Sequence, residues 1–172
     1  HQQLLETFPD ALLILVPRHL ERFKVVEQCS KEKFSTITYS SAQAITSETQ
    51  VWLGDVMGKM MMFYQIASVA FIGGSLSKTG GHNMLEPSAL GKPIISGPYT
   101  FNFAGVTKIL LKYNALQIIN TASELSECLI HLFSDRVSYQ TMQKGALRAV
   151  HENQGALTKQ FDVISAHISL GV

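Results

Sequence analysis

Val69-Ala70-Phe71-Ile72-Gly73-Gly74-Ser75-Leu76-Ser77-Lys78-Thr79-Gly80-Gly81-His82-Asn83-Met84-Leu85-Glu86-Pro87, residues 69 to 87, run from four apolar residues through two glycine pairs into a polar cluster. A short apolar run closed by glycine reads as a buried strand, and the spacing from Asn83 to Leu90 reads as a helix. The segment is therefore a strand, a glycine turn and a helix start, the arrangement in which α/β domains hold anions. Two familiar versions of that arrangement fail here. A P-loop needs glycine before Lys78 and again five residues earlier, where this chain has Ser77 and Ile72. The dinucleotide spacing G-x-G-x-x-G is also missing, because Gly73-Gly74 and Gly80-Gly81 lie too far apart. Nucleotide hydrolysis through a P-loop and hydride transfer with a nicotinamide cofactor are thus unsupported.

What remains is physical: a glycine turn whose backbone can approach an anion closely, ahead of a helix start with free N–H groups. The sequence leaves a second reading open, since Asn83-x-x-Glu86 has capping-box spacing and the same helix end serves both uses. His82 and Glu86 stand four apart without a third nearby ligand, which reads as a local hydrogen bond and not a metal site. As a carboxylate, Glu86 suits a sugar diol, because it accepts from two hydroxyls at once.

Outward from this segment, strands and helices alternate. Helices are expected at Gln2–Phe8, His19–Lys33, Lys59–Ala67, Asn83–Leu90, Gly105–Tyr113, Ser123–Phe133, Ser138–His151 and Gly155–His167. Strands are expected at Leu12–Val16, Thr36–Tyr39, Val51–Leu53, Val69–Ile72, Pro93–Ser96 and Leu116–Ile119. Short apolar strands between helices of about ten residues imply an α/β fold, a Rossmann-like doubly wound parallel sheet in a single domain over residues 1–172. Ligands of such sheets bind beyond the carboxyl ends of the strands.

Three further loops lie on that rim. Pro17-Arg18 ends the first strand, and an arginine fixed there can grip a phosphate with two N–H groups; a solvated helix start is the alternative. Gly54-Asp55-Val56-Met57-Gly58-Lys59 offers backbone groups that can read a nucleobase edge while Met57 covers its face, or a tight turn in which Asp55 caps the next helix. In Gly97-Pro98-Tyr99-Thr100-Phe101-Asn102-Phe103, Asn102 can reach a ligand, although a polar turn with two aromatics tucked into the core accounts for the segment as well.

Composition narrows the classes. The 172 residues are 46% hydrophobic and 16% charged, enough for one sizeable core. A net charge of +1 without a basic stripe gives nucleic acid no footprint. Cys29 and Cys128 are far apart and read as two buried thiols of a reducing compartment, without disulfide or zinc. The longest early apolar run, Ala11–Val16, is too short to cross a bilayer. With helical spacing already at His1–Phe8 and no initiator methionine, the chain is expected to be a piece of a longer protein.

PRHLERF at 17–23, GDVMGKM at 54–60, FIGGSLSKTGGHNMLEP at 71–87 and GPYTFNF at 97–103 occur in the order found in bacterial 3-deoxy-D-manno-octulosonic acid (Kdo) transferases, and the chain closely resembles their C-terminal half. The resemblance implies a GT-B glycosyltransferase, with this chain as its CMP-Kdo binding domain. It implies inverting, metal-independent transfer of Kdo to the lipid A precursor, lipid IVA, in lipopolysaccharide core synthesis. No cofactor is expected beyond the donor substrate. The donor-binding residues it implies are Pro17, Arg18, Asp55, Met57, Gly58, Gly80, Gly81, His82, Asn83, Glu86 and Asn102. Among them, Arg18 and Gly80 to Asn83 would cradle the phosphate, Glu86 the ribose diol, and the Met57 and Gly58 backbone the cytosine.

The family usually places an acidic residue where this chain has Lys59, which reverses the charge of that position without touching the backbone role of Met57 and Gly58. The resemblance puts the general base, the acceptor surface and the membrane anchor in an N-terminal domain outside this chain. The full protein is expected at the cytoplasmic face of the inner membrane of a Gram-negative bacterium, and this chain alone as soluble and inactive in transfer. Two other readings compete: a GT-B transferase or epimerase with a UDP-sugar donor, and a noncatalytic nucleotide-binding module whose glycines serve only turns and caps.

Overall fold

The structure, a computed structural model, describes residues 1–169, with side chains to Asn153. It forms two compact units. Unit 1 comprises His1–Ala67 and Ala122–Ser134, and unit 2 comprises Ser68–Thr121 and the chain from Asp135 onward.

Unit 1 contains α1 (Gln2–Thr7), β1 (Leu13–Leu15), α2 (Phe23–Lys31), β2 (Thr36–Thr38), β3 (Val51–Leu53), α3 (Met60–Ile66) and α6 (Ala122–Ser134). Its three strands form a parallel sheet in the order β1-β3-β2, with Leu13 and Thr36 both level with Val51. The central strand is the most apolar: Val51 and Leu53 are fully buried, as a strand covered on both faces requires. Trp52 joins Tyr39 and Phe63 in an aromatic cluster, with edge-on contacts at 5.3 Å to Phe63 and between Tyr39 and Phe63 at 5.9 Å. The expected helix at 19–33 begins instead with a 3₁₀ turn at Leu20–Arg22 before α2. α6 returns to α1, where Phe133 meets Phe8 edge-on and Ser126 donates to Gln3 Oε1. Of the two thiols expected to be buried, Cys29 lies on the solvent side of α2. Cys128 is half-buried, and burial pushes its thiol pKa up.

Unit 2 contains β4 (Ala70–Ile72), α4 (Leu85–Ala89), β5 (Ile94–Ser96), α5 (Ala104–Lys112), β6 (Leu116–Ile118) and α7 (Arg136–Ser169). Its strands pair in parallel as β4-β5-β6, with Ala70, Ile94 and Leu116 level. All three residues of β5 are buried, as befits the middle strand. Ile72, Met84, Ile94, Val106, Leu110, Leu116, Ala146 and Ala149 belong to one core cluster. Small residues bring α7 in close: a Cβ on Gly145 would lie 2.0 Å from the Tyr113 carbonyl oxygen. Tyr113 Oη donates to Glu152 at 2.6 Å, and Arg148 also bonds that carboxylate. The Arg148 bond first, and Tyr113 second, hold the Glu152 carboxyl below the usual range. The two helices expected at 138–151 and 155–167 run on as α7, broken at Asn153, whose φ of −120° and ψ of 16° are not helical.

The parallel strands with intervening helices make the fold α/β, as the alternation in the sequence implies. Among the described residues no helix is long and apolar enough to cross a membrane.

The ends of β4 and β5 are locked through Ser75, which is fully buried. Its hydroxyl donates to the Ile72 carbonyl at 2.5 Å and accepts the Gly97 N–H at 2.7 Å. Its carbonyl accepts the Tyr99 N–H at 3.0 Å. Gly97 passes so near that a Cβ there would stand 2.2 Å from the Ser75 carbonyl oxygen. Gly97→Ala is therefore expected to destabilise the chain by about 3 kcal/mol or more, read from urea unfolding. A midpoint equal to that of the parent chain would show that this contact yields freely.

Candidate functional site

The residues singled out from the sequence fall into two sets, one on each unit, and in both they lie beyond the carboxyl ends of the strands.

On unit 1, Pro17 and Arg18 follow β1, with Pro17 half-buried and Arg18 exposed. Asp55, Met57 and Gly58 follow β3. Gly54 must be glycine at its turn, because a Cβ would meet the Phe63 ring at 2.8 Å. Its N–H donates to Leu15, extending the pairing of β1 and β3 to the rim. Asp55 does not cap α3: the N-cap residue is Lys59, without a side-chain capping bond. The Asp55 carboxylate turns instead to the chain after β2, accepting the Ser40 N–H at 2.9 Å and the Ser40 hydroxyl. An acceptor with two oxygens can satisfy both donors of one residue, so Asp55 ties the β2 and β3 ends together. Gly58 has a φ of 75° with open space around it, and Met57 is 55% exposed. The turn thus presents backbone and one apolar side chain to solvent.

On unit 2, the turn from Gly73 to Asn83 folds back on itself. Gly74, Gly80 and Gly81 all have positive φ, and the Gly81 N–H donates to the Gly74 carbonyl at 3.2 Å. Gly81 therefore contributes conformation, its N–H being spent within the loop. The His82 ring lies against Gly73 and Gly74, where added Cβ atoms would meet it at 3.6 and 3.5 Å.

The capping box that the Asn83-x-x-Glu86 spacing allows does not form. α4 starts at Leu85, and Asn83 Oδ1 accepts the Leu85 N–H at 2.9 Å, two residues on, while Asn83 Nδ2 donates to Glu86 Oε1 at 3.1 Å. The exchange is an Asx-type turn with a side-chain pair, because the helix begins two residues later than the spacing suggests. With five residues, α4 carries only a short stack of peptide dipoles, so a helix-end field is weak here. Its end is a Schellman motif at Gly91, φ 64°, with Lys92 N–H on Pro87 and Gly91 N–H on Ser88. Loop amides and side chains, more than the helix dipole, give this site its polarity. Glu86 is half-buried and keeps acceptor capacity beyond its bond from Asn83.

Asn102 joins this set. It sits in the 3₁₀ turn Phe101–Phe103, and its Nδ2 donates to the Thr79 carbonyl at 3.1 Å. The aromatics of the turn are not both tucked inward, since Phe101 is 62% exposed and Tyr99 is also open while Phe103 packs against the core. Ser75 and Gly97 were not singled out from the sequence, where a serine and a glycine abutting the ends of two buried strands were the available signal. Among the described residues no three His, Cys, Asp or Glu side chains are grouped to hold a metal.

These features define a parallel α/β fold with its candidate residues beyond the carboxyl ends of the strands. The chain matches no protein-family model. It is 40% identical over its whole length to the 3-deoxy-D-manno-octulosonic acid transferase of Haemophilus influenzae, covering 41% of that protein. The same enzyme of Bordetella pertussis is 30% identical over 91% of this chain and 37% of its own length. The crystal structure of the C-terminal CMP-Kdo binding domain of WaaA from Acinetobacter baumannii superposes with a TM-score of 0.81 at 32% identity, over 85% of this chain and 77% of that one. The chain belongs to the 3-deoxy-D-manno-octulosonic acid transferase family. It spans about two fifths of the curated relatives it matches.

Asp55→Ala removes the acceptor of both Ser40 donors and is expected to cost about 1–2 kcal/mol in denaturant unfolding. Ser40→Ala, which keeps the backbone bond, should cost less; equal stability of all three chains would mean that the tie contributes nothing.

Proposed function

We propose that this chain is the donor-binding domain of a Kdo transferase and binds CMP-Kdo. The observation that carries the reading is the likeness in both fold and sequence to a domain described as binding CMP-Kdo. The loops support it physically. A nucleoside monophosphate ester presents one phosphate, one ribose diol and one base edge, and the residues of each unit offer chemistry suited to part of it. Arg18 and the turn Gly80 to Asn83 are assigned to the phosphate, with Gly81 shaping the turn and the other amides and Asn83 facing the anion. Glu86 is assigned to the ribose hydroxyls, and the backbone at Met57 and Gly58 to cytosine. His82 supports the turn from beneath, and Pro17 and Asp55 hold the rim loops that carry Arg18 and Met57. Residues 1–172 act in this reading as one domain.

The reaction is a direct displacement at the anomeric carbon of Kdo. An acceptor hydroxyl of the lipid A precursor attacks, the bond to the phosphate oxygen breaks, and CMP leaves with the electron pair. Attack opposite the leaving group inverts the centre. Arginine and amide N–H groups stabilise the charge that grows on the phosphate, so the chemistry requires no metal from these residues. The general base, the acceptor site and the attachment to the cytoplasmic face of the inner membrane are placed outside this chain, which on its own is expected to bind donor without transferring it. Lys59 leaves the backbone contacts to the base intact.

Calorimetric titration of the chain with CMP, UMP and UDP tests the reading. CMP is expected to bind tightest; a preference for UDP would point to a UDP-sugar enzyme. Arg18→Ala with Glu86→Ala should weaken CMP binding about a hundredfold or more, from two lost charge-assisted contacts. Full affinity in that double variant would favour a module whose glycines serve only as turns.

A further inference from the structure

We infer that Asn102 and Phe101 are positioning residues that hold the Thr79–Gly80 peptide in its binding conformation, and that neither touches the donor. The inference rests on the CMP-Kdo reading for what the turn holds, but its geometry stands apart from it.

Segment 97–103 runs alongside the glycine turn and grips it repeatedly. The Gly97 and Tyr99 N–H groups bond Ser75, and Asn102 Nδ2 bonds the Thr79 carbonyl at 3.1 Å. Both side chains converge on Gly80: a Cβ there would meet Asn102 Nδ2 at 2.3 Å and Phe101 Cε2 at 2.6 Å. Gly80 is buried beneath them although Phe101 and Asn102 themselves are exposed. At φ 92° Gly80 occupies backbone space that glycine alone enters readily, and glycine also leaves that space readily. A turn built from Gly80 and Gly81 has no intrinsic preference for one conformation, so something outside it must choose. Asn102 fixes the carbonyl that precedes Gly80, and Phe101 covers the face on which the turn would open. One Nδ2 hydrogen goes to the Thr79 carbonyl, and that bond makes Asn102 a brace for the turn. Ordering the turn in advance removes an entropic cost that the donor would otherwise meet on binding.

The test separates bracing from contact. The Gly81 N–H, bonded to Gly74 within the turn, reports the turn's opening through amide hydrogen exchange measured by NMR on the nucleotide-free chain. Asn102→Ala is expected to speed that exchange and to weaken CMP binding, each about tenfold, the scale of one lost hydrogen bond. Phe101→Ala should act in the same direction, and Asn102→Gln, which keeps the amide donor, should recover part of both effects. Glu86→Ala provides the contrast, losing affinity with Gly81 exchange unchanged. Lost affinity in Asn102→Ala with unaltered exchange would overturn the inference in favour of direct contact, and faster exchange with unaltered affinity would overturn the link to binding. If the parent chain fails to bind CMP, the donor reading fails, while Gly81 exchange still decides whether Asn102 braces the turn.

Discussion

The buried hydroxyl of Ser75 is the constraint on which unit 2 is organised. Pairing of β4 with β5 ends at Ser96, and beyond it nothing in the sheet ladder obliges the two emerging chains to stay together. Ser75 supplies that obligation with one hydroxyl, donating to Ile72 behind it and accepting Gly97 across from it. Because the group is fully buried, both bonds are made where an unpaired partner would be costly. Two loops with few apolar anchors thereby inherit the rigidity of the sheet.

The same device recurs with different chemistry on unit 1. Asp55 ties the β3 end to Ser40 with a carboxylate, where Ser75 uses a hydroxyl. Exposure explains the difference. A carboxylate at a partly open rim remains hydrated on its free sides, whereas in the closed space between Ile72 and Gly97 a charge would lack solvation. Polar residues that read as ligand groups in sequence also serve the loops that carry them, as Asn83 does in bonding both Leu85 and Glu86.

The fold was legible because its signals are local. β3 falls on Val51–Leu53, where a β-branched and aromatic triplet sits between a polar loop and Gly54, and the break between the last two expected helices falls at Asn153. The 3₁₀ turn before α2 and the late start of α4 were not legible, since both depend on which turn competes best for the first free N–H groups. In the site, glycine positions were readable as places of unusual backbone, and Gly80 and Gly81 do adopt positive φ. Their partners were not, because Asn102 lies 23 residues from Thr79 and Ser75 lies 22 from Gly97. Spacing within one element cannot reveal a contact made between the ends of two strands. The alternative of two aromatics tucked into the core fails for a related reason: an aromatic in a loop reads as core, yet Phe101 lies over Gly80.

The missing P-loop and dinucleotide spacings acquire a physical sense from this arrangement. In those motifs the glycine pattern and the long helix behind it are sufficient in themselves, since the helix both orients the amides and adds its dipole. Here the helix has five residues and the glycines are separated by a polar excursion from Leu76 to Thr79. Such a turn cannot define its own shape, and the structure delegates that task to the next loop along the rim. The shape of the turn accordingly rests on a pair of segments, 73–86 and 97–102, in contact at Ser75 and at Gly80. Substitutions in the second segment should then be read by what they do to Gly80, even when they lie on side chains that face solvent.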